Sequence, residues 1–460
     1  MVDLLDGKNW VNSMFYRLTF YFIFLLVFNP SLARVVKYDS QNMLIENFFN
    51  KADVKYVIRY SHSFSNNVSI PKDSELSFQG GALSGPIKFV NTKLSGDVKL
   101  QGSTISGTVS NLFFLSEWLC YADGSHDDAD NINQMIEVCG KVNFKEGVYL
   151  LRTLYRPVDT LDKKLWKYPF HLGINRSNVV LKGRGKDVVF RTKEVAGMIC
   201  IYSLPNRFDR TVLNVTIDNI TFKTENDGVE FHEYLHTIKT IGVDGMVIKN
   251  CKFYDFWCDA ICLSTYGDTP ATGERTRNSN VRIMNNTIIG GKHYNTGDGV
   301  AVVNGKNILI DHNIIKQVSR KHMPGAIDIE ANNSAYTVDG ITISNNIIEN
   351  CQGTAGGIAV NANQYGAPAH NIKILNNQIS GCSNGIVFYV KSDNTTSNYL
   401  VAGNVIAADT PPYRFYGKGK SSNWVFKKNI IKRPTFVNIP GDIKVAQLLI
   451  KNNRYAFTKD

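Results

Sequence analysis

The stretch Asn307-Ile-Leu-Ile-Asp-His-Asn-Ile-Ile315 decides the fold, because its core phrase returns along the second half of the chain. The phrase reads aliphatic, any residue, usually Asn, a second residue usually Asn, any residue, apolar. Its copies are Ile217–Phe222, Ile248–Phe253, Ile283–Ile288, Ile310–Ile315, Ile343–Ile348, Ile374–Ile379, Val401–Ile406, Phe426–Ile431 and Ile450–Tyr455. Successive copies start 31, 35, 27, 33, 31, 27, 25 and 24 residues apart, a ragged period of the kind that marks solenoids. Each copy is a short β-branched strand, a polar turn and another short strand, with no window periodic enough for an amphipathic helix. Helical repeats are therefore excluded. Leucine-rich repeats are excluded as well, since the recurring aliphatics are mostly Ile and Val. A parallel β-helix remains.

In such a coil equivalent residues stack about 4.8 Å apart. A buried polar position is then tolerable only if every rung repeats it and the side chains bond one another. The fourth position of the phrase is Asn in seven of nine copies, at Asn286, Asn313, Asn346, Asn377, Asn404, Asn429 and Asn453. The expectation is an internal asparagine ladder. Cys351 and Cys382 also hold equivalent places, eight residues after Ile343 and Ile374, where they stack or pair.

The rungs, with Asp123-Gly-Ser-His-Asp-Asp-Ala-Asp130 and Val142-Asn-Phe-Lys-Glu-Gly-Val-Tyr149 ahead of them, resemble the pectate-lyase superfamily of right-handed β-helix proteins. The resemblance runs from Asp123 to the C-terminus. It implies the fold and leaves the reaction open, because that superfamily holds lyases, hydrolases, epimerases, phage tailspikes and adhesins.

Composition agrees with one long core: 460 residues, 43% apolar and 20% charged. The formal net charge is +11, and no arginine-rich tract or nucleic-acid motif accompanies it, so an acidic polysaccharide is the expected partner rather than nucleic acid. A merely solvated basic surface is the competing reading. Arg17, the apolar run Leu18–Phe28 and Ser31-Leu-Ala33 read as a secretory signal over residues 1–33. The apolar run is too short for a membrane span, so a secreted, periplasmic or cell-surface protein is expected. Eight cysteines are too few for a disulfide framework in a chain this long.

Residues 34–115 form an N-terminal β-rich segment, with Gly-punctuated alternation from Ile70 to Val109; residues 116–460 are assigned to the β-helix. Ile132, Met135, Ile136 and Cys139 have the spacing of one short helix, taken as the coil's N-terminal cap. Asp127, Asp128 and Asp130 at its start are expected to bind free N–H groups rather than metal or substrate.

Chemistry belongs where rungs carry polar groups on an outward face. The strands Asp259-Ala-Ile-Cys-Leu, Asp298-Gly-Val-Ala-Val, Gly325-Ala-Ile-Asp-Ile-Glu, Gly356-Gly-Ile-Ala-Val and Asn384-Gly-Ile-Val-Phe line up. Asp259 and Asp298 then share one place on consecutive rungs, and alternation sends Asp328 and Glu330 outward together, about 7 Å apart. That separation suits an inverting glycosidase. Crowded carboxylates share protons, so one stays an acid while another stays ionised. His322, Arg320 and Lys321 flank this cluster, as do Lys292 and His293. The competing readings are turn-bonding Asp259 and Asp298, a solvated face for Asp328 and Glu330, and a loop histidine at 322.

The polygalacturonase branch of the superfamily reads Asn-Thr-Asp, Gly-Asp-Asp, Gly-His-Gly and Arg-x-Lys on successive rungs. Trp257-Cys-Asp259 keeps the Asp of the first, Thr296-Gly-Asp298 keeps the second Asp of the next, and His322 precedes Gly325 without paired glycines. The resemblance thus implies catalytic places for Asp259 and Asp298, while Asp328 and Glu330 are expected to replace the missing acid. The expected activity is glycoside hydrolysis with no cofactor. A polysaccharide lyase, using Arg320, Lys321 or Lys292 as base with Ca²⁺ on the carboxylates, is the enzymatic alternative. A non-catalytic glycan-binding or adhesin-like coil is the other.

Overall fold

The computed structural model describes residues 34–37, 46–155, 169–203, 211–225, 231–265, 269–291, 295–320, 323–362, 367, 369–391, 395–408, 412–432 and 443–455. The expected leader and the site candidates Lys292, His293, Lys321 and His322 lie outside them. The described chain forms two compact units that meet in sequence between Asn111 and Leu112.

The first unit is built of strands that pair in parallel, Tyr56 on Leu76 and Leu76 on Leu94, with steps of 18 to 20 residues. Its turns lean on glycine where two backbones touch. Gly81 has the Tyr60 amide 2.6 Å from where a Cβ would stand, so no larger residue fits there.

The second unit is the coil. Its strands fall into three parallel sheets of 15, 12 and 9 strands, the architecture of a right-handed parallel β-helix. One corner of each turn is invariant. The third residue of the phrase adopts a left-handed φ of 53° to 69°, at Asn219, Asn250, Asn285, His312, Asn345, Asn376, Gly403, Lys428 and Asn452. Asn is the non-glycine residue that tolerates this conformation best, which accounts for the first Asn of the repeated pair.

The second Asn turns inward and forms the expected ladder. Asn346 Oδ1 accepts the backbone N–H (2.9 Å) and the side-chain Nδ2 (3.0 Å) of Asn313, while Asn346 Nδ2 donates to Ile310 O and Asn377 Oδ1, both at 2.9 Å. The same four bonds repeat at Asn313, Asn377, Asn404 and Asn429. Cys251 stands at the ladder's first rung, giving its backbone N–H to Asn286 Oδ1 and its thiol to the Ile217 and Lys249 carbonyls. Every amide is satisfied at almost no exposure from Asn286 to Asn429, which meets the cost of burying them. Beside the ladder Ile217, Ile248, Ile283, Ile310, Ile343, Ile374, Val401 and Phe426 stack in one buried column, each aliphatic contributing about 1.5–3 kcal/mol. At the last described rung Ile450 is 41% exposed.

The ragged period comes from the other two connections of each turn. The 35-residue step holds an additional helix, Pro270–Arg275, capped by Thr269, whose hydroxyl accepts the Thr272 N–H. The expected early helix forms at Ala129–Val138 and buries Ala129, Ile132, Met135, Ile136 and Val138 against the strands Lys141–Phe144 and Phe170–Ile174. Only one of the three aspartates serves its start: Asp127 accepts the Ala129 N–H at 3.1 Å. Asp128 turns back to take the N–H groups of Tyr121 and Ala122 at 2.9 Å. None of the eight cysteines is in a disulfide. Cys351 and Cys382 are buried on neighbouring turns without a disulfide.

Candidate active site

The nine-stranded sheet carries the acidic cluster. Ile261, Val300, Ile327, Ile358 and Ile386 pair from strand to strand and fill the core at 0% exposure. Counting back from that register, His236, Asp259, Asp298 and Gly325 occupy one place on four consecutive turns. Counting forward, Asp328 lies between Ala301 and Ala359, and Glu330 beside Asn361. The shared place of Asp259 and Asp298, and the common face of Asp328 and Glu330, follow directly.

Asp259 and Asp298 brace the entrances of neighbouring strands. Asp259 Oδ1 accepts the Asp298 N–H at 2.8 Å, and Asp298 Oδ1 accepts the Gly325 N–H at 2.9 Å with Ser319 Oγ at 3.4 Å. The second oxygen of Asp259 lies 2.9 Å from His236 Nδ1. Gly297 explains the departure from Gly-Asp-Asp. A Cβ there would sit 2.9 Å from the Cys258 carbonyl carbon and collide with Asp259 Oδ1, so no side chain fits at that place.

Asp328 points away from the coil's core, as alternation demands, but the outer face here is not open to water. Asp328 is 0% exposed. Ala355, Ala359 and Val387 form a buried outer cluster with Tyr416 packed on it. The segment from Phe231 to His236 also runs beside the cluster. The Arg320 guanidinium sits 4.0 Å over the Phe231 ring, and His232 packs edge-on against Trp257. Of the four carboxylates Glu330 alone is half-buried. Asp328 Oδ1 accepts Asn361 Nδ2 at 2.8 Å, whereas Oδ2 is buried with no hydrogen-bond partner among the described residues.

Burial dominates the acid–base properties. It pushes Asp328 well above the usual carboxylate range, and the charges of Glu330 and then Asp298 push it further. Asp298 is raised by burial and by Asp259. Burial raises Glu330 too, against a hydrogen bond with Asn332. Asp298 and Asp328 are both driven toward the protonated form, since both are buried and lie among the same carboxylates.

A stability test follows from these directions. A carboxylate whose folded pKa is raised favours the folded state below its unfolded value, near pH 4, and loses that advantage as pH climbs through the folded value. Other acids move the opposite way, Asp127 and Asp311 among them, so the difference between variants is the useful quantity. Asp328→Asn should melt close to the native protein near pH 4 and progressively above it toward about pH 8. A difference in melting temperature that stays flat with pH would mean Asp328 is charged at no cost.

The sequence did not single out His236, Cys258, Asn361 or the Phe231–His236 segment. The signal for His236 was the Asp259–Asp298 column, continued one turn back. The segment carries no periodicity and leaves none to find.

Residues 208–408 match the family model described as a right handed beta helix region. Together with the three-sheet coil, this defines a right-handed parallel β-helix protein. Solved structures with similarity to it include PfbA, a surface adhesin of Streptococcus pneumoniae (14% identity over 73% of this chain and 89% of that one, TM-score 0.44). Others are an exopolygalacturonase from Thermotoga maritima (11%, 75% and 91%, 0.48) and an endo-xylogalacturonan hydrolase from Aspergillus tubingensis (11%, 73% and 93%, 0.41). No curated protein matches the chain. No described helix is long and apolar enough to cross a membrane.

Proposed function

We propose that this protein acts on an extracellular polysaccharide and hydrolyses its glycosidic bonds at the strand Gly325–Glu330. The observation that carries this reading is the unequal carboxylate pair: Asp328 fully buried, strongly raised and with one oxygen unbonded, Glu330 beside it half-buried. Glycoside hydrolysis needs one carboxylic acid to protonate the leaving oxygen and one carboxylate to activate water. Asp328 keeps the proton and is the acid; Glu330, nearer to solvent, is the base. The Asp328 and Glu330 carboxyls lie within hydrogen-bonding reach of each other, close enough for one to hold the proton while the other stays ionised. Asp259 and Asp298 hold the strand entrances and add the charge that raises their neighbours.

The test is a panel of polysaccharides incubated with the protein, read for new reducing ends and for ultraviolet-absorbing unsaturated ends. Hydrolysis gives the first without the second. Unsaturated ends would establish a lyase instead, and retention in an affinity gel without any product would leave a binding protein. The basic charge suggests that the glycan is acidic. Binding should then weaken several-fold between about 50 and 300 mM salt. Flat affinity, or a preference for neutral glycans, would remove the acidic substrate.

A further inference from the structure

At the entrance of the same sheet a second group of side chains converges that the acid–base pair does not use. His236, Cys258 and Asp259 each present one ligand atom, and these atoms lie within 4.8 Å of one another. They come from adjacent turns and are 6%, 2% and 4% exposed. Cys258 Sγ stands 3.6 Å from Asp259 Oδ1. His236 Nδ1 stands 2.9 Å from Asp259 Oδ2, yet it is a buried atom without an aligned hydrogen bond. An imidazole nitrogen that close to a carboxylate, but not directed at it, is aimed at a point beside it.

We propose that His236 Nδ1, Cys258 Sγ and the Asp259 carboxylate bind one zinc-class divalent metal ion. With bonds of about 2.0–2.3 Å, tetrahedral zinc sets its ligands about 3.2–3.8 Å apart, close to the spacing observed. The donor set of one nitrogen, one sulfur and one oxygen selects a borderline-soft metal. Calcium is disfavoured, since it takes six to eight oxygens and no thiolate. Charge agrees as well. A thiolate and a carboxylate together neutralise a divalent ion, so the buried site carries no net charge. Binding releases the Cys258 proton to solvent, and without a metal burial keeps that thiol protonated. Because Asp259 Oδ1 also holds the Asp298 N–H and Asp298 holds that of Gly325, the ion would tie the four consecutive turns that lead to Asp328.

The experiment uses the full chain, stripped with a chelator and titrated with Zn²⁺, and in parallel with Co²⁺ for its absorption spectrum. The native protein should bind one zinc per chain, and cobalt should give a thiolate-to-metal band. Cys258→Ser should abolish that band. In Cys258→Ser and in His236→Gln zinc affinity should fall at least ~100-fold, more than the ~10–100-fold typical of losing an outer-shell partner. Cys139→Ser, a thiol outside the group, should bind as the native chain does. Circular dichroism identifies the variants that remain folded. No stoichiometric zinc in the native protein, a cobalt spectrum without the thiolate band, or native-like affinity in a folded Cys258→Ser or His236→Gln would overturn the site.

Discussion

Asn346→Leu should destabilise the coil by about 3–5 kcal/mol, one of the largest effects any single substitution here can have. Leucine branches at the same atom as asparagine and is more hydrophobic, so transfer out of water alone favours the change. Hydrogen bonding decides against it. The substitution strands the Asn313 N–H, one Asn313 amide hydrogen and the Ile310 carbonyl, all inside the coil, at about 1–3 kcal/mol for each unsatisfied group. The end of the ladder supplies the control. Asn453 is half-buried and passes no bond to a further described rung, so water replaces part of what Asn453→Leu removes. Thermal unfolding should therefore show a drop for Asn346→Leu at least twice that for Asn453→Leu. Equal drops, or an unchanged native melting temperature at Asn346, would mean the ladder is not what holds the turns in register.

Most of the coil was legible because its physics is periodic. The ladder asparagines and the Ile217–Phe426 column recur with the turn, and repetition along the axis is what makes a buried amide affordable. The Asp259–Asp298 register was legible for the same reason. What stayed hidden is aperiodic. Asp328 is buried and its strand neighbour Ala359 packs with Ala355, Val387 and Tyr416, while Phe231–His236, a segment that belongs to no rung pattern, brings His236 onto Asp259. Alternation correctly gave the direction of Asp328 but says nothing of what lies beyond the sheet. Gly297 was visible as a departure from the polygalacturonase motif, while its cause, the close approach of Asp259 and Cys258 from the previous turn, required coordinates. The first Asn of each pair was readable in principle, since a left-handed corner favours Asn.

Glu330→Gln and Asp328→Asn should each lower turnover by at least about 100-fold, the scale on which a general acid or base contributes. Both variants should fold, because neither side chain enters the coil's core or its ladder, and Asp328→Asn should be the more stable at neutral pH. The two losses should differ in pH dependence. Glu330 is the strongest charge acting on Asp328. Its removal lowers the Asp328 pKa, so the residual activity of Glu330→Gln should fail at a lower pH on the alkaline side than native activity does. Asp328→Asn has no such acid left to titrate, and its alkaline limb should disappear. Once a cleavable polysaccharide is in hand, the most direct measurement is reducing-end release by the native protein and both variants across pH, with circular dichroism confirming the fold. The account predicts at least about 100-fold loss in both, with the alkaline limb shifted in one and absent in the other. Near-native turnover in both folded variants would contradict it and place the chemistry away from this strand.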